Sequence, residues 1–125
     1  MRVLIADDDR DAVMTLGILL RSEGFEVQLA HGGLDVPELV RSFKPRAVLL
    51  DIAMPDRSGY EVAEALHKDY GVACPVLIAV TARSNPAEKL QAEISGFHYF
   101  IPKPYDAQAL LGLLGAIDRS TEKTA

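Results

Sequence analysis

Short apolar segments alternate with longer amphipathic segments along the whole chain. Apolar runs of about 4–8 residues are typical of strands buried on both faces of a parallel sheet. Longer segments in which apolar positions recur every three or four residues are typical of helices. The pattern predicts strands near residues 2–6, 26–30, 47–51, 75–81 and 98–101, and helices near residues 10–23, 35–43, 59–70, 86–95 and 106–118.

The strict alternation of strand and helix predicts an α/β fold. We expect a five-stranded, parallel, doubly wound sheet with helices on both faces, which is a three-layer αβα arrangement. Capping residues support two of the helix starts: Ser58 with Glu61 has the spacing of a capping box, and Asn85 followed by Pro86 can begin a helix. The alternation alone leaves the strand order open. Residues 1–119 form the predicted domain, and residues 120–125 a flexible polar tail.

Composition limits the class of protein, its partners and its cellular compartment. The chain has 125 residues, of which 49% are hydrophobic and 25% charged, values typical of one globular domain. A net charge of −5 argues against nucleic acid as a direct partner. The apolar runs are too short to cross a membrane, and the start of the chain shows no signal-peptide pattern. Cys74 is the only cysteine, which favours a reducing cytoplasm, and we expect a buried, inert thiol there.

Polar residues suited to phosphoryl chemistry follow four of the predicted strands. Asp7 and Asp8 follow the first strand, Asp51 the third, Thr81 ends the fourth, and Lys103 follows the fifth. Because ligands bind at the carboxyl ends of the strands in open α/β sheets, these side chains are expected at one edge. Three carboxylates, a hydroxyl and an ammonium suit a divalent cation and a phosphoryl group.

A cluster of carboxylates needs a compensating charge. Two carboxylates ~4 Å apart repel each other by ~4 kcal/mol at an effective dielectric constant of ~20. Mg²⁺ (or Mn²⁺) provides compensation, since hard cations prefer oxygen ligands. Asp9 and Asp11 are better explained as capping residues of the first helix.

One segment distinguishes among phosphoryl-transfer families. Asp51-Ile52-Ala53-Met54-Pro55 is followed by Gly59, and the spacings from Asp7 to Asp51, Asp51 to Thr81 and Thr81 to Lys103 accompany it. Together these residues closely resemble the receiver domain of two-component response regulators, of the chemotaxis-regulator type, from Arg2 to about Arg119. The resemblance implies a flavodoxin-like fold with strand order 2-1-3-4-5.

The resemblance also implies roles for the acidic residues. Asp51 would be the phosphoacceptor, attacking a phosphohistidine of a histidine kinase or histidine phosphotransfer protein. Asp8, Asp51 and the backbone carbonyl of Ala53 would bind Mg²⁺ directly, and Asp7 would act through water. Such a domain would catalyse only its own phosphorylation and dephosphorylation, and would not be an enzyme acting on other substrates.

The remaining family positions imply a switch. Lys103 would pair with Asp51 before transfer and with the phosphoryl oxygens afterwards, while Thr81 would donate its hydroxyl to the phosphoryl group. Ala82 is small and leaves room for that group. Phe100 matches the position of the switch aromatic of the family, and a plain core phenylalanine is the alternative.

The resemblance extends to the geometry and surface of the fifth strand. The bond between Lys103 and Pro104 is expected to be cis, which costs little before proline. Phosphorylation would remodel the surface formed by the fourth helix, fifth strand and fifth helix, through which a second copy or an output domain could bind.

Two positions depart from what the family often shows near the phosphoacceptor. Ala53 has no polar side chain to orient an attacking water molecule, and Arg83 places a long cation beside the site. We expect these two residues to tune the phosphoryl lifetime, giving slow self-dephosphorylation.

The last helix has an unusually long uncharged stretch, residues 109–117. Leu111 and Leu113 cannot both face the sheet together with Leu110, Leu114 and Ile117, so one or both should be exposed. They are then either isolated surface residues or part of a partner surface.

Two other functions compete with a phosphorylated receiver. A haloacid-dehalogenase-type phosphatase would use Asp7 and Asp9, but Asp11 stands where that family expects Thr or Val, and the Asp51 segment would stay unexplained. A receiver-like interaction module could work without phosphorylation. The cognate kinase, the output and the oligomeric state lie beyond what these residues indicate.

Overall fold

Five strands alternate with five α-helices in the computed structural model, which describes residues 1–124 and only the backbone of residues 121–124. The strands are β1 (Arg2–Ala6), β2 (Glu26–Ala30), β3 (Ala47–Leu50), β4 (Val76–Thr81) and β5 (Tyr99–Pro102). The helices are α1 (Arg10–Ser22), α2 (Val36–Phe43), α3 (Gly59–Tyr70), α4 (Pro86–Ser95) and α5 (Ala107–Thr124). A single 3₁₀ turn, Gly71–Ala73, follows α3.

The strands form one parallel sheet in the order β2-β1-β3-β4-β5. This confirms the doubly wound sheet predicted from the alternation and the strand order implied by the resemblance. Val3 of β1 pairs with Val27 of β2 on one side and with Ala47 of β3 on the other. Since every strand runs the same way, all carboxyl ends reach one edge of the sheet.

Alternate residues of each central strand point into two separate cores. Leu4 and Leu50 belong to the core beneath α2, α3 and α4, whereas Val3 and Leu49 belong to the core beneath α1 and α5. Because successive side chains point to opposite faces and both faces are buried, these strands are continuous apolar runs. Burying each such side chain contributes about 1.5–3 kcal/mol to stability, so the two cores fix the sheet that carries the strand ends.

Side-chain caps begin four of the helices, α1, α3, α4 and α5. The Asp9 carboxylate accepts a hydrogen bond from Ala12 N at 3.2 Å at the start of α1, as the sequence predicts. Asn85 Oδ1 likewise accepts from Glu88 N at 2.9 Å at the start of α4. At α3, Ser58 Oγ accepts from Glu61 N at 3.2 Å, but the Glu61 carboxylate contacts the Ser58 hydroxyl at 3.3 Å. That second contact replaces the backbone bond of an ideal capping box.

Helix α5 differs from the prediction in two ways. Leu111 and Leu113 are both half-buried against the core beneath α1 and α5, so the expectation that one or both are exposed was wrong. The helix presents a wider apolar face to the sheet than its pattern suggested. Its backbone continues to Thr124, beyond residue 118, because no glycine or proline follows Gly115 to end it. The flexibility of residues 120–125 stays a prediction, and Ala125 lies outside the described residues.

Cys74 is half-buried rather than buried. Burial raises the pKa of its thiol above the usual value, which favours the less reactive neutral form. Among residues 1–124, none of the helices has the length and apolar character needed to cross a membrane.

Candidate functional site

Three aspartates form an acidic cluster at the carboxyl edge of the sheet. Asp7 and Asp51 are buried and Asp8 is exposed, and one oxygen of each carboxylate lies within 4.8 Å of the others. The sheet itself places the two buried residues: Asp7 N donates to Ala30 O at 3.1 Å, and Asp51 N donates to Ala6 O at 3.0 Å. Extending the backbone ladder by one residue at each strand end therefore brings the carboxylates together.

Lys103 bridges the two buried carboxylates. Its Nζ lies 2.8 Å from Asp7 Oδ2 and 3.3 Å from Asp51 Oδ2. The sequence analysis anticipated the pair with Asp51; the closer pair with Asp7 comes from the structure. Lys103 N donates to Thr81 O at 2.8 Å, and the Lys103–Pro104 bond that follows is cis. The lysine is thus held at both its backbone and its ammonium.

The other oxygens of the two buried carboxylates accept backbone hydrogen bonds. Asp7 Oδ1 accepts from Asp9 N at 3.0 Å, and Asp51 Oδ1 accepts from Ala53 N at 3.1 Å. Burial raises the pKa of Asp51, which Lys103 and the Ala53 amide oppose and the charge of Asp7 reinforces. Burial alone would lower the pKa of Lys103, but its contacts with Asp7 and Asp51 raise that pKa above its usual value. The ammonium therefore stays charged near neutral pH.

The donor set fits a hard divalent cation. Three carboxylates share the site with one ammonium, which leaves an excess of negative charge. All the clustered side-chain donors are oxygens, the ligands that Mg²⁺ and Mn²⁺ prefer. Ala53, whose carbonyl the resemblance assigns to the metal, lies at the same edge, two residues after Asp51.

The residues that the resemblance assigns to the switch lie on β4, on β5 and in the loop after β4. Thr81 is fully buried at the end of β4, and its Oγ1 accepts a hydrogen bond from Arg83 N at 3.2 Å. Ala82 and Arg83 are exposed, as are all residues from 82 to 85. Phe100 is half-buried against the core beneath α2, α3 and α4, and Lys89 Nζ lies 5.9 Å from its ring centroid.

Comparison with known proteins decides the family. The family model of the response regulator receiver domain matches residues 3–114. The chain belongs to this family. It is a receiver domain of the two-component signalling type.

The receiver domain resembles curated and solved proteins over nearly its full length. It is 34% identical over 122 residues to response regulator MprA of Mycobacterium avium, covering 98% of this chain and 53% of that protein. The same regulator of Mycobacterium tuberculosis (strain H37Rv) is also 34% identical, with 98% and 52% covered. The chain therefore spans about half the length of these curated relatives.

Solved receiver structures share its fold. A response regulator receiver domain protein (CheY-like) of Methanospirillum hungatei aligns with a TM-score of 0.87 at 26% identity, covering 98% of this chain and 97% of that one. The receiver domain of the Francisella response regulator 1452 aligns with a TM-score of 0.88, covering 96% and 98%. Its identity is 21%, so this second likeness concerns the fold.

Gly59 brings α3 against the segment of the receiver domain that carries Asp51. Its amide donates to Ile52 O at 3.0 Å. A Cβ added at Gly59 would lie 2.7 Å from Asp51 O and 2.8 Å from Ile52 Cα. Since both neighbours are backbone atoms, only glycine fits without moving the chain that carries Asp51.

Asp56 anchors the same segment, and the sequence analysis missed it. Its carboxylate accepts hydrogen bonds from Gly33 N at 3.0 Å, Leu34 N at 3.1 Å and Arg57 N at 2.9 Å. The bonds from Leu34 and Gly33 lower the pKa of Asp56. The Gly32-Gly33 pair was the available signal, because a Cβ at Gly33 would lie 2.6 Å from Arg57 O. The loop after β3 is thereby bound to the loop that precedes α2.

Proposed function

We propose that this receiver domain accepts a phosphoryl group on Asp51 from the phosphohistidine of a histidine kinase or histidine phosphotransfer protein. The observation that carries this proposal is the buried Asp51 carboxylate, clustered with Asp7 and Asp8 and paired with Lys103. In the transfer, a carboxylate oxygen of Asp51 forms a bond to phosphorus while the phosphorus–nitrogen bond to the histidine breaks. The leaving nitrogen keeps the electron pair of that bond, and an acyl phosphate remains on Asp51.

Positioning and charge account for the catalysis. Lys103 is held by Asp7 as well as by Asp51, so it remains at the site when the second carboxylate becomes esterified. Its ammonium then faces the new phosphoryl oxygens. Mg²⁺ (or Mn²⁺), held by Asp8, Asp51 and the Ala53 carbonyl with Asp7 acting through water, would neutralise charge on the transferring oxygens when bound. The domain modifies only itself in this proposal.

Thr81 gives the modification a conformational consequence. Its hydroxyl accepts from the Arg83 amide, so its own proton is available to donate to a phosphoryl oxygen. Turning toward that group pulls on the exposed residues that follow. Phosphorylation then biases a two-state equilibrium through the new contacts to the phosphoryl oxygens.

The surface that responds comprises α4, β5 and α5. Leu90 and Ile94 of α4 and Tyr99 of β5 are exposed there. We propose that this surface, rather than the half-buried Leu111 and Leu113, contacts a second copy or an output domain, with repacking of Phe100 beneath it. Sedimentation with and without a phosphoryl mimic tests the homodimer: a monomer in both states removes it.

Intact-mass measurement tests the phosphoacceptor. Incubation with acetyl phosphate and Mg²⁺ should add one phosphoryl group to the native chain and none to Asp51→Asn. Asp69→Asn, at an exposed carboxylate of α3, is the matched control and should be modified like the native chain. No gain with acetyl phosphate or with a phosphorylated kinase would favour the interaction module. Repeated turnover of a phosphatase substrate would favour the phosphatase.

The phosphoryl lifetime tests the two departures from the family pattern. Ala53 presents only a methyl group, which cannot orient an attacking water molecule, and Arg83 is an exposed cation two residues after Thr81. We expect first-order loss of the phosphoryl group to be faster in Ala53→Asn than in the native chain. Faster loss from the native chain would contradict this proposal.

A further inference from the structure

We propose that Tyr60 is a positioning residue that ties the phosphoacceptor segment to α4 and thereby restrains the switch; this inference rests on the proposed function. The Tyr60 hydroxyl donates a hydrogen bond to the Glu88 carboxylate, and the backbone oxygen of Glu88 lies 3.3 Å from it. One side chain thus joins the first turn of α3 to the first turn of α4. We call this contact the α3–α4 tether.

The α3 end of the tether is rigid. Tyr60 directly follows Gly59, which packs against the backbone of Asp51 and Ile52. The Tyr60 ring is half-buried against the core beneath α2, α3 and α4. Burial, followed by the bond to Glu88, raises the pKa of Tyr60 to about 12. The phenol therefore keeps its proton at neutral pH and remains a donor.

The α4 end of the tether lies just beyond residues 82–85, the loop that we propose moves. Glu88 is in the first turn of α4, and its amide donates to Asn85 Oδ1 at 2.9 Å. Between Glu88 and Thr81 lie the four exposed residues 82–85. Fixing Glu88 therefore limits how far this loop can shift when Thr81 turns toward a phosphoryl group. The Arg83 charge, which acts against the rise in the Tyr60 pKa, is near the same pair.

The tether is present while Asp51 is unmodified, since Lys103 is paired with Asp51 and the Thr81 hydroxyl is engaged by Arg83. It therefore favours the unmodified arrangement. Phe100 packs on the same core but has no hydroxyl with which to make such a bond. In our proposal, the Tyr60 hydroxyl makes a hydrogen bond that stabilises the unmodified state relative to the phosphorylated state.

Removing the hydroxyl alone tests the tether. Tyr60→Phe keeps the ring, so the core is preserved, but the unmodified arrangement loses its bond to Glu88. We expect the affinity for beryllofluoride with Mg²⁺, a phosphoryl mimic, to increase about fivefold, the change that one lost hydrogen bond implies. Tyr70→Phe, at the other end of α3 and against the same core, should bind the mimic like the native chain.

A double-mutant cycle separates the tether from a general loss of packing. Glu88→Ala should also tighten mimic binding, and the double variant should bind no more tightly than the stronger single variant. Unchanged or weaker mimic binding by Tyr60→Phe would overturn the tether while leaving Asp51 as the phosphoacceptor. A native chain that neither binds the mimic nor accepts a phosphoryl group would overturn the proposed function, and the tether with it.

Discussion

Two loops border the acidic cluster, and they are held in opposite ways. The loop after β3, residues 51–58, is held by hydrogen bonds from backbone amides: three amides donate to the Asp56 carboxylate, and the Gly59 amide donates to Ile52 O. The loop after β4, residues 82–85, is exposed throughout. Its described contacts include the Arg83 amide on Thr81 and the Asn85 cap of α4, and we propose that Tyr60 restrains it through Glu88.

This difference fits two separate requirements, those of phosphoryl transfer and those of a conformational switch. Phosphoryl transfer needs a carboxylate held in one place, because most of its catalysis is positioning. A switch needs a segment whose local opening costs little free energy, which is expected of exposed loops with few contacts. In our proposal, the receiver domain uses one loop of each kind at the same edge of its sheet.

Gly59→Ala should have the largest effect. The added methyl meets the backbone of Asp51 and Ile52, so the segment that carries Asp51 must move. We expect the free energy of unfolding to fall by about 1–3 kcal/mol, together with slower phosphorylation.

Gly112→Ala is the matched control for that substitution. A Cβ at Gly112 meets nothing within 4 Å in α5, so this variant should gain about 0.5–1 kcal/mol of stability. Denaturant unfolding measures both variants. Equal stability of Gly59→Ala and the native chain would show that the segment is not held as described.

Asp56→Ala should have a smaller effect on the same loop. It removes the acceptor of three amides, and because the carboxylate is exposed we expect a loss of about 1 kcal/mol, as for a helix N-cap. The pKa of Asp56 is lowered from 3.8, so its contribution is present above that pH and is lost as the pH falls. Asp56→Asn, which retains an oxygen acceptor, should lose less. A pH-independent difference between Asp56→Ala and the native chain would contradict the role of the charge.

The smallest expected effect is a pH dependence of stability at His98, the residue before β5. His98 Nδ1 accepts from Leu77 N at 2.9 Å, and because an amide can only donate, this nitrogen carries no proton. The His67 ring lies 5.5 Å away, and Lys89 and Glu93 of α4 line the same pocket. Burial, then the charge of His67, lowers the pKa of His98 below 6.5. Its contribution is therefore present above that pH and is lost as the pH falls through the lowered pKa.

His98→Asn tests this assignment, because the asparagine oxygen can still accept from Leu77 but does not titrate. Its stability should vary less between about pH 5 and pH 7 than that of the native chain. The difference in slope is bounded at about 1.4 kcal/mol per pH unit for a single group. His31→Asn, at an exposed histidine, is the control. If the stability of His98→Asn varied with pH as steeply as that of the native chain, another group would cause the pH dependence.

Features that depend on a periodic pattern, or on residues next to each other in the chain, could be predicted from the sequence. The strand runs located Asp7, Asp51, Thr81 and Lys103 at one edge, because parallel strands all end there. Strand order was not in the alternation and came from the resemblance around Asp51.

Contacts between distant segments could not be predicted in the same way. Asp56 binds a residue 23 positions away and Tyr60 binds one 28 positions away, with no periodic pattern to pair them. Leu111 and Leu113 were placed wrongly for a related reason. A helical pattern shows which residues share a face, but not how wide a surface the rest of the fold covers.

Amide chemical shifts provide the most direct test of a fixed loop beside a responding one. Spectra of the chain with Mg²⁺ would be recorded with and without beryllofluoride, and again for Asp51→Asn. Away from Asp51 and its immediate neighbours, we predict the largest shifts at the amides of residues 81–85 and of β5. Gly33 and Leu34, which bind Asp56, should be nearly unchanged, and Asp51→Asn should show no response. Shifts at Gly33 and Leu34 as large as those at residues 81–85 would contradict the account.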